Sequence, residues 1–246
     1  MKKVIMMLCL MLLCGCAHAP LQLEGVPILS VVAVPDDAQE LVETVFFRSD
    51  QKVDAAQVSA LEGLEGEHLG TPAVHTVSLQ EVEDETQDGH LYMVSFYVNT
   101  LPDTAASYSF DGVWLKVNAS STKTALYVPG EHRLRTLPAD AFVPWRDGQS
   151  LSSSDVFMPD AFLEDTDVLK RIETLDGRVT VDADASMPCS ISACGGITLS
   201  FAADAPYEAY SGNLRIIWER EGEEHSAIVP IVQSWNDRYA ALDIQP

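Results

Sequence analysis

Short runs rich in Val, Ile, Leu, Tyr and Phe, each closed off by turn-forming residues, recur along most of this 246-residue chain. They are Val26 to Val34, Leu41 to Arg48, Val74 to Val82, His90 to Asn99, Gly112 to Val117 and Thr124 to Val128, and then Arg178 to Asp182, Ile197 to Ala202, Leu214 to Arg220, Ser226 to Gln233 and Tyr239 to Ile244. Runs of this length bury one or both faces of a strand, and no long amphipathic helices alternate with them. The expected fold class is mainly β: two antiparallel β-sandwich units, immunoglobulin-like or related, with one or two short helices.

Turn chemistry supports this reading. Leu214 to Arg220 reaches Glu221-Gly222 and returns through Ala227 to Ile231, so a Gly-containing turn joins two apolar runs. Asp88-Gly89 is suited to a tight hairpin before His90. Two segments carry a helical spacing instead. Ala55 to Leu64 is one; in Asp160 to Leu175, Phe162, Val168, Leu169, Ile172 and Leu175 fit one apolar face, with acids early and Lys170-Arg171 late.

A loose internal repeat suggests where the chain divides. Val94-Ser95-Phe96, Gly112-Val113-Trp114 and Val128-Pro129 recur about 100 residues later as Leu199-Ser200-Phe201, Gly212, Trp218 and Val229-Pro230, a spacing near one sandwich domain. The expected division is a first β-rich domain at 26–136, a connecting segment with a helix at 137–175 and a second β-rich domain at 176–246.

The N-terminus is of a different kind. Met1-Lys2-Lys3 is a short basic start, and Val4 to Leu13 is an apolar run too short to span a bilayer permanently, which reads as an export signal. Leu13-Cys14-Gly15-Cys16 then resembles the lipobox of bacterial lipoproteins, where a Leu three residues before an obligatory Cys and a small residue just before it guide cleavage and acylation. The resemblance implies a signal peptide at 1–15, a lipidated tether at 16–25 and a mature chain anchored through lipid on Cys16. Ala17 takes the position where an Asp would retain a lipoprotein at the inner membrane. The implied address is therefore the cell envelope: the outer membrane facing the periplasm in a diderm host, otherwise the outer face of the cell membrane. An ordinary secretory signal cleaved near Ala17-His18-Ala19 is the competing reading.

Charge narrows the partners. The chain has 15 basic and 37 acidic side chains, and losing Lys2 and Lys3 leaves 13 against 37, a mature net charge of −24. Such a field repels nucleic acid and gains nothing from anionic headgroups. Cys9 and Cys14 leave with the signal and Cys16 is assigned to lipid, so Cys189 and Cys194 remain, and in an oxidising envelope that pair points to a disulfide closing a small loop.

The sequence names no reaction. Asp84 to Leu91 begins like a calcium loop, but position twelve is Ser95 where a bidentate acid is needed, so no metal is assigned. Ser120-Ser121-Thr122-Lys123 has an S-x-x-K spacing in what reads as a hairpin turn, and no H-E-x-x-H, G-x-S-x-G, P-loop or dinucleotide fingerprint is present. No cofactor and no catalytic residue are assigned. Pro206 to Gly212 reads as an exposed loop whose Tyr207 and Tyr210 are a candidate binding loop, and strand alternation leaves some of the other aromatics facing outwards. The functional expectation is a non-catalytic, membrane-anchored interaction or assembly module with an envelope protein partner. A carbohydrate- or small-ligand-binding lipoprotein is the alternative, and an envelope hydrolase comes third.

Overall fold

The computed structural model describes residues 20–38, 40–66, 74–82, 89–99, 107–142, 150–151, 156–157, 163–164, 166–183, 186–190, 193, 196–201, 205–234 and 239–244. In the first half they form β1 (Leu23–Val26), β2 (Ile28–Pro35), β3 (Glu40–Ser49), β4 (Ala55–Glu62), β5 (Glu65–Gly66), β6 (Val74–Val82), β7 (His90–Asn99), β8 (Ser107–Ala119) and β9 (Thr122–Leu137). After a 3-10 turn at Ala139–Ala141 come β10 (Ser150–Leu151), β11 (Val156–Phe157), β12 (Val168–Thr174), β13 (Val179–Ala183) and β14 (Cys189–Ser190). The series closes with β15 (Gly196–Phe201), β16 (Ala209–Arg220), β17 (Glu223–Ser234) and β18 (Tyr239–Ile244).

The fold is mainly β, with multiple antiparallel sheets in a sandwich-like arrangement. A small sheet of order β1-β3-β7-β6 comes from the first half, another of order β11-β18-β15-β13 from the second. Between them runs a long sheet of order β10-β17-β16-β2-β9-β8-β4, to which β12, β14 and β5 are attached. The long sheet takes strands from both halves because β2 pairs on one edge with β9, Ile28↔Gly130 to Pro35↔Leu137, and on the other with β16, Ala209↔Ile28 to Gly212↔Val31. Both pairings are parallel, so the sheet is not antiparallel throughout, as the strand spacing alone suggests.

β2 explains why two cores coexist in this arrangement. Ile28, Val32 and Val34 pack into a first core with Phe46, Phe96, Phe110 and Val128, while Leu29 and Val31 pack into a second with Leu169, Tyr210, Leu214 and Ile216. Period-two alternation sends successive side chains to opposite faces, so one strand without a solvent face supplies both cores. Ala209 of β16 likewise joins the first core while Tyr210 joins the second.

Within the two segments of helical spacing the described residues form strands and no helix: β4 at Ala55–Glu62 and β12 at Val168–Thr174. β4 carries a register shift between Val58 and Ala60, and β12 carries one between Leu169 and Arg171. A bulge adds one residue to the alternation, so two side chains on the same face come to lie three apart. Val58 and Leu61 are inward in this way, as are Leu169 and Ile172, and the i, i+3 pattern imitates a helix face. Of the acids at the expected helix start, Asp167, 1% exposed, accepts a fork from Arg220 Nε at 2.8 Å and Nη2 at 2.6 Å.

The later parts of the internal repeat fall on two hairpins of the long sheet, β8–β9 and β16–β17, whose turns have positive φ at Ser120 (53°) and at Glu221 (53°) and Gly222 (84°), whereas Val94-Ser95-Phe96 and Leu199-Ser200-Phe201 lie in β7 and β15 of the small sheets. The two hairpins meet β2 differently. The second strand of one hairpin, β9, and the first strand of the other, β16, are the neighbours of β2. Leu23 to Gly25, assigned to the tether by sequence, already form β1 against Ser49 to Phe47.

Candidate functional site

Where β3 crosses the long sheet, a buried polar node links the two layers. Ser30 Oγ donates to Glu43 Oε1 at 2.8 Å and Oε2 at 3.0 Å, and His132 Nδ1 lies 2.8 Å from Glu43 Oε2. All three residues are 0% exposed, and Phe110 stacks on the imidazole with 4.3 Å between centroids. The residue types suggest a nucleophilic triad, but the order differs. Here the carboxylate sits between hydroxyl and imidazole, whereas base catalysis needs the imidazole in the middle, within reach of the hydroxyl proton. Sealed from solvent, this node is a polar clasp: Glu43 from the small sheet accepts from β2 and β9 of the long one. Gly130 makes room for it, since a Cβ there would lie 2.9 Å from His132 Nε2 and 2.6 Å from Ile28 Cγ2.

On the other face of β9, a second network joins the halves. Arg178 Nη1 and Nη2 donate to Glu131 at 2.6 and 3.1 Å, and Nε and Nη2 donate to Asp176 at 2.9 and 2.8 Å. Tyr207 Oη donates to Glu131 Oε2 at 2.7 Å, and the Arg178 guanidinium lies 5.6 Å from the Tyr207 ring centroid. Arg133 also meets both Glu131 and Asp176. The Arg178 hydrogen bonds pull Glu131 down to about 2 and hold Asp176 below its ordinary range, while burial and Glu131 push Tyr207 up.

The sign for pH follows from the depressed carboxylates. Their stabilisation is complete above the ordinary Glu131 value of 4.5 and is lost as pH falls toward about 2. Arg178→Gln is therefore expected to lower stability by about 2 kcal/mol at neutral pH. It should also flatten the loss of stability between pH 4.5 and 2, read from urea midpoints across that window. An unchanged acid slope would rule out this network as its source.

These positions revise the expected tyrosine loop. Tyr207 is half-buried within the network, and Tyr210 is 0% exposed in the second core, packed over Gly212, where a Cβ would lie 2.3 Å from its hydroxyl. Only Pro206 and Glu208 of that stretch are exposed, and Arg48 Nη1 holds Glu208 at 3.0 Å. Cys189 is buried at the start of β14; Cys194 and Cys16 lie outside the described residues. Among the described residues, His90, His132 and His225 do not converge. His90 meets Glu81 at 2.6 Å, His225 stacks on Trp218 at 5.6 Å, His132 is in the clasp, and His68 lies outside the described residues.

The remaining site is on the surface. Val113, Leu115 and Val117 of β8 are 0% exposed, so Trp114 and Lys116 between them face outwards. Trp114, 37% exposed, is the one large exposed hydrophobic among the described residues. Its indole lies against Tyr127 of β9 with 5.2 Å between centroids and a 44° tilt, and Nε1 donates to Glu62 of β4 at 3.0 Å. Gly112 lets the tyrosine lie down: a Cβ there would be 2.6 Å from Tyr127 Oη. Burial and the nearby Glu62 and Asp111 carboxylates push the Tyr127 hydroxyl up. The register sets Ala60 and Tyr127 opposite Trp114, and Gln57 and Ala125 opposite Lys116. The result is a three-strand platform on which Tyr127 and Glu62 hold the indole, with Ala60 and Ala125 as its small neighbours. Alternation in β8 was the sequence signal for it.

No family model matches the chain, and no curated protein does. Among solved structures it is similar to the crystal structure of a protein of unknown function from Porphyromonas gingivalis W83, at 12% identity and a TM-score of 0.23, over 88% of this chain and 100% of that one. That superposition is too loose to transfer fold or function.

Proposed function

We propose that this protein is a membrane-anchored interaction module of the bacterial cell envelope, held by lipid on Cys16, whose Trp114 platform contacts an envelope protein. The exposed Trp114 carries the reading. An indole fixed on the solvent face of a sheet contributes contact area with little side-chain entropy left to lose, which suits an interface anchor. The lipobox supports the address, and the acidic surface disfavours nucleic acid.

The test is in-cell crosslinking and capture of the wild type beside Trp114→Ala and Cys16→Ser. Trp114→Ala is expected to cut capture of a specific envelope protein at least tenfold, as about 2 kcal/mol from an anchor residue implies. Because the indole also packs on Tyr127 and donates to Glu62, the unfolding midpoint is measured for each protein and capture is compared well below it, where each is folded. Capture indifferent to both substitutions would refute the module reading. A carbohydrate ligand is the second reading, favoured by the polar rim of Glu62, Gln57 and Lys116 around the indole. It requires Trp114-dependent binding of wall or envelope glycans by the purified protein.

A further inference from the structure

With lipid on Cys16 as proposed, only the five residues Cys16 to Pro20 lie between the bilayer and Leu21, which packs against the first core. Fully extended, they reach at most about 18 Å. Gln22 then pairs with Asp50 in both directions, its N–H donating to Asp50 Oδ1 at 2.9 Å and its carbonyl accepting from Asp50 N at 3.2 Å. The chain therefore enters at one defined pole. The same pole holds the turn from β8 to β9, because Asp54 N donates to Asn118 O at 2.7 Å and Asp54 Oδ2 accepts from Ser120 N at 2.6 Å.

From that pole the strands run away together. β2 is parallel to β9 and to β16, with Ala209 level with Ile28, so β16 carries on past the end of β2 to its turn at Glu221-Gly222. At about 3.3 Å per residue, that turn lies roughly 60 Å from Gln22 before sheet twist shortens the path. The tether cannot span this length.

We infer that the lipidated protein stands end-on, with the Asp50–Asp54 and Ser120–Ser121 pole against the bilayer surface and the β16–β17 turn farthest from it. The inference rests on the Cys16 anchoring proposed above and extends it to an orientation. Charge favours the stance. The mature chain has 13 basic against 37 acidic side chains, so a body lying flat would press many carboxylates against anionic headgroups. Among the described residues the pole itself is mixed, with Lys52 and Lys123 beside Asp50, Asp54 and Glu81. One consequence follows for the partner. Tyr127 lies about six residues along β9 from Ser121, so the Trp114 platform is held on the order of 20 Å above the pole, and its partner must present a juxtamembrane segment.

The test uses the full-length lipidated protein in vesicles of phosphatidylethanolamine and phosphatidylglycerol containing an acceptor-labelled lipid. A donor dye is placed through an encoded azide at Ser121 or at Glu224, and energy transfer to the bilayer is measured. Several-fold higher transfer from Ser121 than from Glu224 is expected, with wild-type unfolding midpoints for both labelled proteins. Equal transfer, or stronger transfer from Glu224, would overturn the end-on stance while leaving the anchor intact. The intact mass of the N-terminal peptide separates the two ideas: an unacylated Cys16 with no vesicle association would overturn the anchoring and the orientation together.

Discussion

Glu43→Ala is expected to destabilise the protein by about 3–5 kcal/mol, because it strips a buried hydroxyl and a buried imidazole of their shared acceptor and replaces a carboxylate by a void. At about 2–4 °C per kcal/mol for a chain of this size, the melting temperature should fall by on the order of 10 °C. Glu43→Gln keeps the shape and one acceptor oxygen, so its loss should be clearly smaller. Urea titrations of the three proteins measure both effects. A loss below about 1 kcal/mol for the alanine variant would mean that the Ser30, Glu43 and His132 contacts do not hold the layers together.

Leu29→Ala is the second large effect, expected at about 2–5 kcal/mol. Leu29 lies near the N-terminus but is 0% exposed in the core built from the C-terminal half. Its loss should therefore speed amide hydrogen exchange in β12 and β16 as well as in β2. Val32→Ala, on the opposite face of the same strand, should act first on β3, β7 and β9. Exchange that rises only in the first 136 residues after Leu29→Ala would show that β2 does not supply both cores.

Much of the strand framework was legible in the sequence. β6, β7 and β18 have the ends their apolar runs indicate, and the Glu221-Gly222 turn follows from its glycine. β4 and β12 were not legible, because a bulge turns a two-residue period into a three-residue one and periodicity alone cannot separate that from a helix turn. The continuity of the long sheet was hidden for a different reason: β2 pairs with residues about 100 and 180 positions away, and nothing local in Ile28 to Val31 encodes those partners.

The sites divide in the same way. The outward position of Trp114 follows from alternation with Val113 and Leu115, whereas its fixation by Tyr127 and Glu62 depends on strand pairing that the local sequence does not encode. Tyr207 and Tyr210 looked like a pair on an exposed loop, yet β16 begins at Ala209 and sends Tyr210 into the core. Glu43 gave no signal at all. A lone acid in a strand reads as a solvent-facing residue, and only the approach of Ser30 and His132 makes it an interior one.

The most direct measurement is a photo-crosslinking scan in cells, with the reactive residue placed at Ala60 or Ala125 beside Trp114, and at the exposed Thr180 of β13 as the control. The expected result is one and the same envelope protein crosslinked from 60 and 125, lost with Trp114→Ala and absent from 180. Equal crosslinking from all three positions, or none from 60 and 125, would contradict an interaction module that works through this platform.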